Sequence, residues 1–212
     1  MTRALFVAVL ALLIASPAFA QAKKLPHAWP PVVGKEYPKL ELKNSLGKTV
    51  KLIDFKGKVI LIKPIGMGCP GCNAFAGAEK KGAYPGASFQ KGIPSTTKIF
   101  KDYGKVKLSS KKIVVIHLLL YDTSNRKAPT VADAKKWAKH WGIDKLKNEF
   151  VLVGDARYIN RASYNLIPGF QLIDKNFVLR SDSSGHRPKD NLYTKLAPMV
   201  KVLLKERAKR RR

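Results

Sequence analysis

Acidic residues are scarce in this sequence: 14 Asp and Glu stand against 41 Lys and Arg, for a formal net charge of +27. Such a chain attracts nucleic acid, anionic lipid and other polyanions without sequence preference. The aromatic residues are not interleaved with the basic ones in the way a base-stacking surface requires. No specific nucleic-acid partner is expected, only weak binding to anionic surfaces. Histidine is scarcer still, with four scattered residues, His27, His117, His140 and His186. His117 lies in an apolar run and reads as a core histidine with a satisfied ring nitrogen. His140 alternates with Trp and Lys on a helix and reads as exposed. Cysteine is limited to Cys69 and Cys72. A zinc site takes four ligands, and neither a second Cys pair nor paired histidines accompany these two, so no metal is expected. Heptads, solenoid-like periods and low-complexity tracts are also lacking. After the N-terminal segment no apolar run is long enough to span a bilayer.

That N-terminal segment, MTRALFVAVLALLIASPAFA, carries one Arg near its start, an apolar stretch from Ala4 to Ala15, and Ala18-Phe19-Ala20 at its end. Small residues at the last position and two before it are what signal peptidase selects. Residues 1–20 read as a signal peptide cleaved near Ala20, leaving an exported, periplasmic chain. The apolar share of 45% is enough for a packed core in the remainder.

Residues 21–36 are Pro-rich and read as an extended lead-in. Alternation at Leu40-Leu42 and Val50-Leu52 predicts two short strands around a turn at NSLGK. The continuous apolar run VILI at 59–62 suits a strand buried on both faces. Gly66, Gly68, Pro70 and Gly71 break it, and a helix is expected from about Pro70 into NAFAGAEKKG. A second helix is predicted from Ser95 to Tyr103. A second buried strand follows at 112–122. The next helix has Val131, Ala134, Trp137, Ala138 and Trp141 on one face, with Thr130 as N-cap and Gly142 as stop. EFVLVGD reads as a strand and ARYINRASYNL as a short helix. A hairpin is expected around Lys175-Asn176, then a C-terminal helix with a basic tail at 206–212. Strands alternating with helices, then a hairpin and a closing helix, describe an α/β sandwich around a mixed β-sheet.

Export gives the cysteine pair meaning, because a disulfide can persist in an oxidising compartment. A bridge closing so short a loop adds little stability, which weakens a purely structural role. At the end of a buried strand and the start of a helix, unpaired backbone N–H groups favour a thiolate on the first Cys. The second Cys, one turn on, can attack a mixed disulfide and release the product. Cys69 is thus the expected nucleophile and Cys72 the resolving thiol. Pro70 stiffens the turn, and Gly71 is expected to let a partner chain approach.

At this point the sequence resembles the thioredoxin superfamily, in particular its exported TlpA-like, redoxin-type thiol–disulfide oxidoreductases. The matching features, in order, are LGKTVKLIDFKGKVILI, then CPGC, then TVADAKKWAKHWGI, then EFVLVGDARYINRASYNLIPGFQLIDKNFVLR, spread over residues 37–205. The resemblance implies a thioredoxin-like sandwich, a central mixed β-sheet flanked by helices, with an insertion after the first helix at about 82–110. It implies that Pro168 is a cis-proline facing the cysteines, with Ile167 before it, so that a substrate lies between Cys69 and Ile167. It implies thiol- or disulfide-bearing protein substrates, a membrane electron donor, and no cofactor beyond the Cys69–Cys72 disulfide itself. Two departures stand out. The aromatic that commonly precedes the first Cys is Gly68 here. The buried acid six residues before it is Lys63, a tuning position where a lysine must be neutral, paired, or reaching to solvent.

The leading expectation is therefore an exported thiol–disulfide oxidoreductase. The alternatives are a thiol peroxidase, for which no Thr precedes Cys69, and a non-catalytic binding protein with a structural disulfide and a basic surface.

Overall fold

A computed structural model describes residues 25–208; the expected signal peptide and the last residues of the basic tail lie outside them. Seven strands form one mixed sheet in the order β2-β1-β5-β4-β3-β6-β7. The strands are β1 (Glu41–Asn44), β2 (Thr49–Lys51), β3 (Val59–Gly66), β4 (Ile113–Tyr121), β5 (Glu149–Val153), β6 (Gly169–Ile173) and β7 (Leu179–Ser184). The three central strands β5, β4 and β3 are parallel, and the hairpins at either edge are antiparallel. The helices are α1 (Pro70–Ala76), α2 (Ala78–Lys81), α3 (Thr96–Asp102), α4 (Val131–Trp141), α5 (Arg161–Tyr164) and α6 (Ala197–Lys205). This is the thioredoxin-like α/β sandwich expected from the sequence.

The pleat sorts the strand residues between two cores. Ile60 and Ile62 of β3, with Val114 and Ile116 of β4, pack in the cluster that takes Trp137 and Trp141 of α4. Val59 and Leu61, with Ile113 and Val115, pack in the cluster that takes Phe100 of α3 and Val200 and Leu203 of α6. Covered on both faces, β3 and β4 are buried along their whole length. That is why their sequences read as continuous apolar runs rather than alternating ones.

Thr130 and Gly142 cap α4 as expected: the Thr130 hydroxyl accepts from the Asp133 N–H, the Asp133 carboxylate accepts from the Thr130 N–H, and Gly142 is left-handed. Elsewhere the structure divides what the sequence suggested was continuous. The helix after CPGC breaks at Gly77, whose φ of 111° ends α1 and starts α2. ARYINRASYNL forms a 3-10 turn at Ala156–Tyr158 and then α5. The hairpin turn is longer than Lys175-Asn176, because Asp174 Oδ1 accepts the N–H groups of Asn176 and Val178 and so holds the loop open. The C-terminal helix starts with a π turn at Leu192–Leu196 and ends at Lys205, where Glu206 pairs with Arg180 at 3.0 Å.

The lead-in is docked. Trp29 donates to Ser163 Oγ at 2.9 Å and stacks edge-on against Tyr158. His140 departs from expectation: it is half-buried, its ring sits 4.5 Å from that of Trp141, and Tyr84 from the 82–110 segment covers it. The periodicity of α4 placed His140 off the apolar stripe, but the chain after α2 folds back over that side.

Candidate redox site

The strand β3 delivers the cysteines. A register shift between Ile65 and Gly66 moves the last rung of its pairing with β4 to Tyr121. The Met67 N–H donates to Tyr121 O and the Cys69 N–H to Gly66 O, turning the chain into α1. Cys69 is the N-cap of α1, and its Sγ accepts from the Cys72 N–H at 3.2 Å. Pro70 occupies the first helical turn, where its missing N–H leaves no bond unmade. Both cysteines are free thiols, Cys69 half-buried and Cys72 3% exposed.

The two sulfurs are electrostatically unequal. A hydrogen bond from the Cys72 thiol, with help from the N–H groups of Cys72 and Gly71, lowers Cys69 to about 7 against the opposing effect of burial. Burial, reinforced by the neighbouring Cys69, pushes Cys72 well above the ordinary thiol range. The Cys72 Sγ faces the Pro64 carbonyl oxygen at 3.9 Å. One sulfur is thus accessible and ionised near neutral pH, and the other is held back as a thiol.

Pro168, just before β6, meets the CPGC turn at Gly71. The Ile167–Pro168 bond is cis. Gly71 is buried, and a Cβ added there would lie 2.9 Å from Pro168 Cγ. The close approach that Gly71 permits here is to the chain's own Pro168. Ile167 is also buried, and its N–H donates to Tyr164 O at 3.1 Å. Pro70 is the exposed member of the motif.

The missing aromatic before Cys69 has a steric cause. A Cβ on Gly68 would overlap the Thr123 carbonyl oxygen, and one on Gly66 would overlap the Asn125 side chain. The loop after β4 fills the place where such a wall would stand. Asp122 shapes that loop by accepting from the Ser124 hydroxyl and from the N–H groups of Arg126 and Lys127.

Three titratable groups from three adjacent strands come together in the core, Lys63 and His117 buried and Glu149 partly exposed. Lys63 of β3 is the register partner of His117 of β4. His117 Nε2 pairs with Glu149 Oε2 of β5 at 3.2 Å, and its Nδ1 accepts from Trp137 Nε1 at 3.5 Å. Lys63 is 4% exposed, so it does not reach out to solvent. Burial lowers it to about 8, opposed by the negative charges of Glu149 and Cys72. Burial, then the charge of Lys63, lowers His117 to about 4. Burial alone would raise Glu149, but its hydrogen bond to His117 and the nearby cations outweigh that and keep it below the ordinary range. His117 is a core histidine with both ring nitrogens engaged, as expected.

Two residues of this site were not singled out from the sequence. Glu149 opens EFVLVGD and looks like an exposed strand end; only the order of β5 beside β4 brings it to His117. Asn73 is fully buried in α1, where Nδ2 donates to Met67 O and Cys69 O and Oδ1 accepts from the Tyr84 N–H. It fastens the CPGC turn to the 82–110 segment. A polar residue inside the small apolar run after the second Cys was the available signal. Among the described residues no three His, Cys, Asp or Glu side chains form a metal-binding group.

No family profile matches the sequence, and no curated protein matches it. Solved structures do match in fold. A candidate electron transfer protein from Aquifex aeolicus VF5 aligns with a TM-score of 0.52 at 18% identity, over 82% of this chain and 99% of that one. A candidate protein disulfide isomerase from Bacteroides thetaiotaomicron aligns with a TM-score of 0.50 at 17% identity, over 84% and 92%. At these identities the likeness is one of fold.

Proposed function

We propose that this thioredoxin-like chain is an exported thiol–disulfide oxidoreductase that exchanges disulfides with protein substrates through Cys69 and Cys72. The observation that carries the reading is the unequal pair: an accessible sulfur lowered to about 7 beside a buried one held as a thiol. The Cys69 thiolate attacks one sulfur of a substrate disulfide, and the other substrate sulfur leaves as a thiolate. Cys72 then loses its proton and attacks Cys69 Sγ. The bond between Cys69 and the substrate breaks, and the Cys69–Cys72 disulfide forms. The substrate disulfide has been reduced by two electrons and the cysteine pair oxidised by two. The reverse sequence oxidises a dithiol.

Pro168 stands against Gly71 at the motif, where Cys69 and the exposed Pro70 are open to an approaching chain. Ile167 and Pro168 form the wall a substrate strand would meet. Regeneration in the reducing direction calls for a dithiol donor such as a membrane reductase. Export rests on residues 1–20, and the N-terminal residue of the secreted chain tests it: Gln21 is expected.

The reduction potential of the couple tests the activity. A value between about −120 and −270 mV places it among working exchangers. A disulfide well below about −300 mV, or one that opens only on unfolding, would make CPGC a structural bridge. Hydrogen peroxide consumption by the reduced protein at rates competing with disulfide exchange would favour a peroxidase instead.

A further inference from the structure

A hollow of about 590 Å³ lies where the 82–110 segment returns toward α3. One wall is the break between α1 and α2 at Gly77; the facing wall is residues 92–95, which lead into α3. Small-molecule sites commonly enclose about 300–1,000 Å³. A crevice of about 100 Å³ continues this hollow into the core, since both are walled by Ala76, Ser95, Thr97 and Trp141. Neither cysteine lines either space.

The two ends differ in chemistry. The outer hollow is apolar along Ile93, Pro94 and Trp141, with Lys80, Lys81 and Lys98 around it and Glu79 as its single acid. The crevice runs past Phe75 and Leu108 to Lys63, His117 and Glu149. Lys63 is 4% exposed, and among the described residues it has no hydrogen bond and no direct ion pair. The nearby carboxylate, Glu149, is taken by His117 at 3.2 Å. An ammonium carries three donors, and burying it without an acceptor is costly.

We propose that the two spaces form one binding site for a small amphipathic carboxylate, its carboxylate accepting from the Lys63 ammonium at the inner end and its apolar body lying along Trp141, Ile93 and Pro94 in the outer hollow. The polarity of the pose follows from the walls. The reverse pose would press hydrocarbon onto Lys63 and leave its donors unmet. The sign of the charge follows from four lysines against Glu79 and Glu149. The rim lysines draw anions to the mouth, and Lys63 is the group that holds one. Glu149 is the negative group at the inner end, and its bond to His117 holds it on β4's side. The 82–110 segment thereby acquires a role separate from disulfide exchange: it supplies the outer half of a ligand site.

Calorimetric titration of the full mature chain tests this, with octanoate as probe and octanol and octylamine as its uncharged and cationic counterparts. Octanoate should bind one molecule per chain, about tenfold or more tighter than either counterpart. Lys63→Met should weaken octanoate by about tenfold or more and leave octanol unchanged. Thr97→Trp, at an exposed position where the two spaces meet, should block octanoate without lowering the urea midpoint of the ligand-free protein. Lys80→Met, on the rim, should change octanoate binding far less than Lys63→Met. That pattern supports the proposal, and any other overturns it. Octanoate held equally well by Lys63→Met would assign binding to the basic surface, octanol bound as tightly as octanoate would leave an apolar hollow with no carboxylate recognition, and an octanoate titration without heat would leave no site. Each of these results is independent of whether Cys69 and Cys72 exchange disulfides.

Discussion

Pro168 fills the space that a side chain at position 71 would need: a Cβ on Gly71 would lie 2.9 Å from Pro168 Cγ. Two segments nearly a hundred residues apart in sequence thus share one van der Waals surface beside the cysteines. Gly71→Ala should force them apart, since the proline ring cannot rotate away. The expected loss is about 1–3 kcal/mol of stability, the range for overpacking a closed site. A fall in the urea midpoint with unchanged slope checks this, and the same variant should exchange disulfides more slowly than wild type.

Gly68 makes the corresponding case on the other side of the motif. An aromatic here would restore the residue the resemblance leads one to expect, yet a Cβ would overlap the Thr123 carbonyl oxygen. Gly68→Trp should therefore lower stability and disulfide exchange together rather than improve substrate contact. Denaturant unfolding alongside the turnover of a disulfide-bonded peptide distinguishes these outcomes; faster exchange by a stable variant would show that the loop can move aside.

The thiolate at Cys69 owes its position chiefly to the Cys72 thiol. Alkylation by iodoacetamide should follow a single titration with its midpoint at about 7. Cys72→Ala removes the largest lowering effect, so its midpoint should move up. A midpoint that stays in place would assign the effect to the helix amides alone.

Lys63 is lowered in the folded state, so folding disfavours its charged form. The unfolded chain binds more protons between pH 8 and 10.5, and stability from this residue rises through that window. Below pH 8 its full cost applies. Lys63→Met should thus be more stable than wild type at neutral pH, by about 2–3 kcal/mol. A higher urea midpoint at pH 7 that converges with wild type as pH rises toward 10.5 is the signature to look for.

His117 works by the same sign at lower pH. Its folded value of about 4 against an ordinary 6.5 means the unfolded chain takes up the extra proton between them. Wild-type stability should be lost as pH falls from about 6.5 toward 4, and His117→Gln should flatten that slope. Urea titrations across this interval give the measurement.

Much of the site was legible from local pattern. The CPGC turn, Thr130 and Gly142 as the caps of α4, the buried strands β3 and β4, and the cis Ile167–Pro168 bond all follow from residues whose backbone preferences are strong or whose order matches a known arrangement. His140 and the break at Gly77 were not legible. A half-turn of burial on α4 depends on where the 82–110 segment returns, and a glycine in a helical pattern can continue the helix or end it.

By itself the sequence determined the parallel core strands, the placement of two cysteines at a helix start, and the strongly basic balance, because these depend on short-range periodicity and composition. Tertiary structure alone decided what surrounds the cysteines. It put Pro168 against Gly71, Thr123 against Gly68, and Glu149 two strands away from Lys63 on the far side of His117. Such meetings are set by strand order and register, and no local propensity encodes which strands become neighbours.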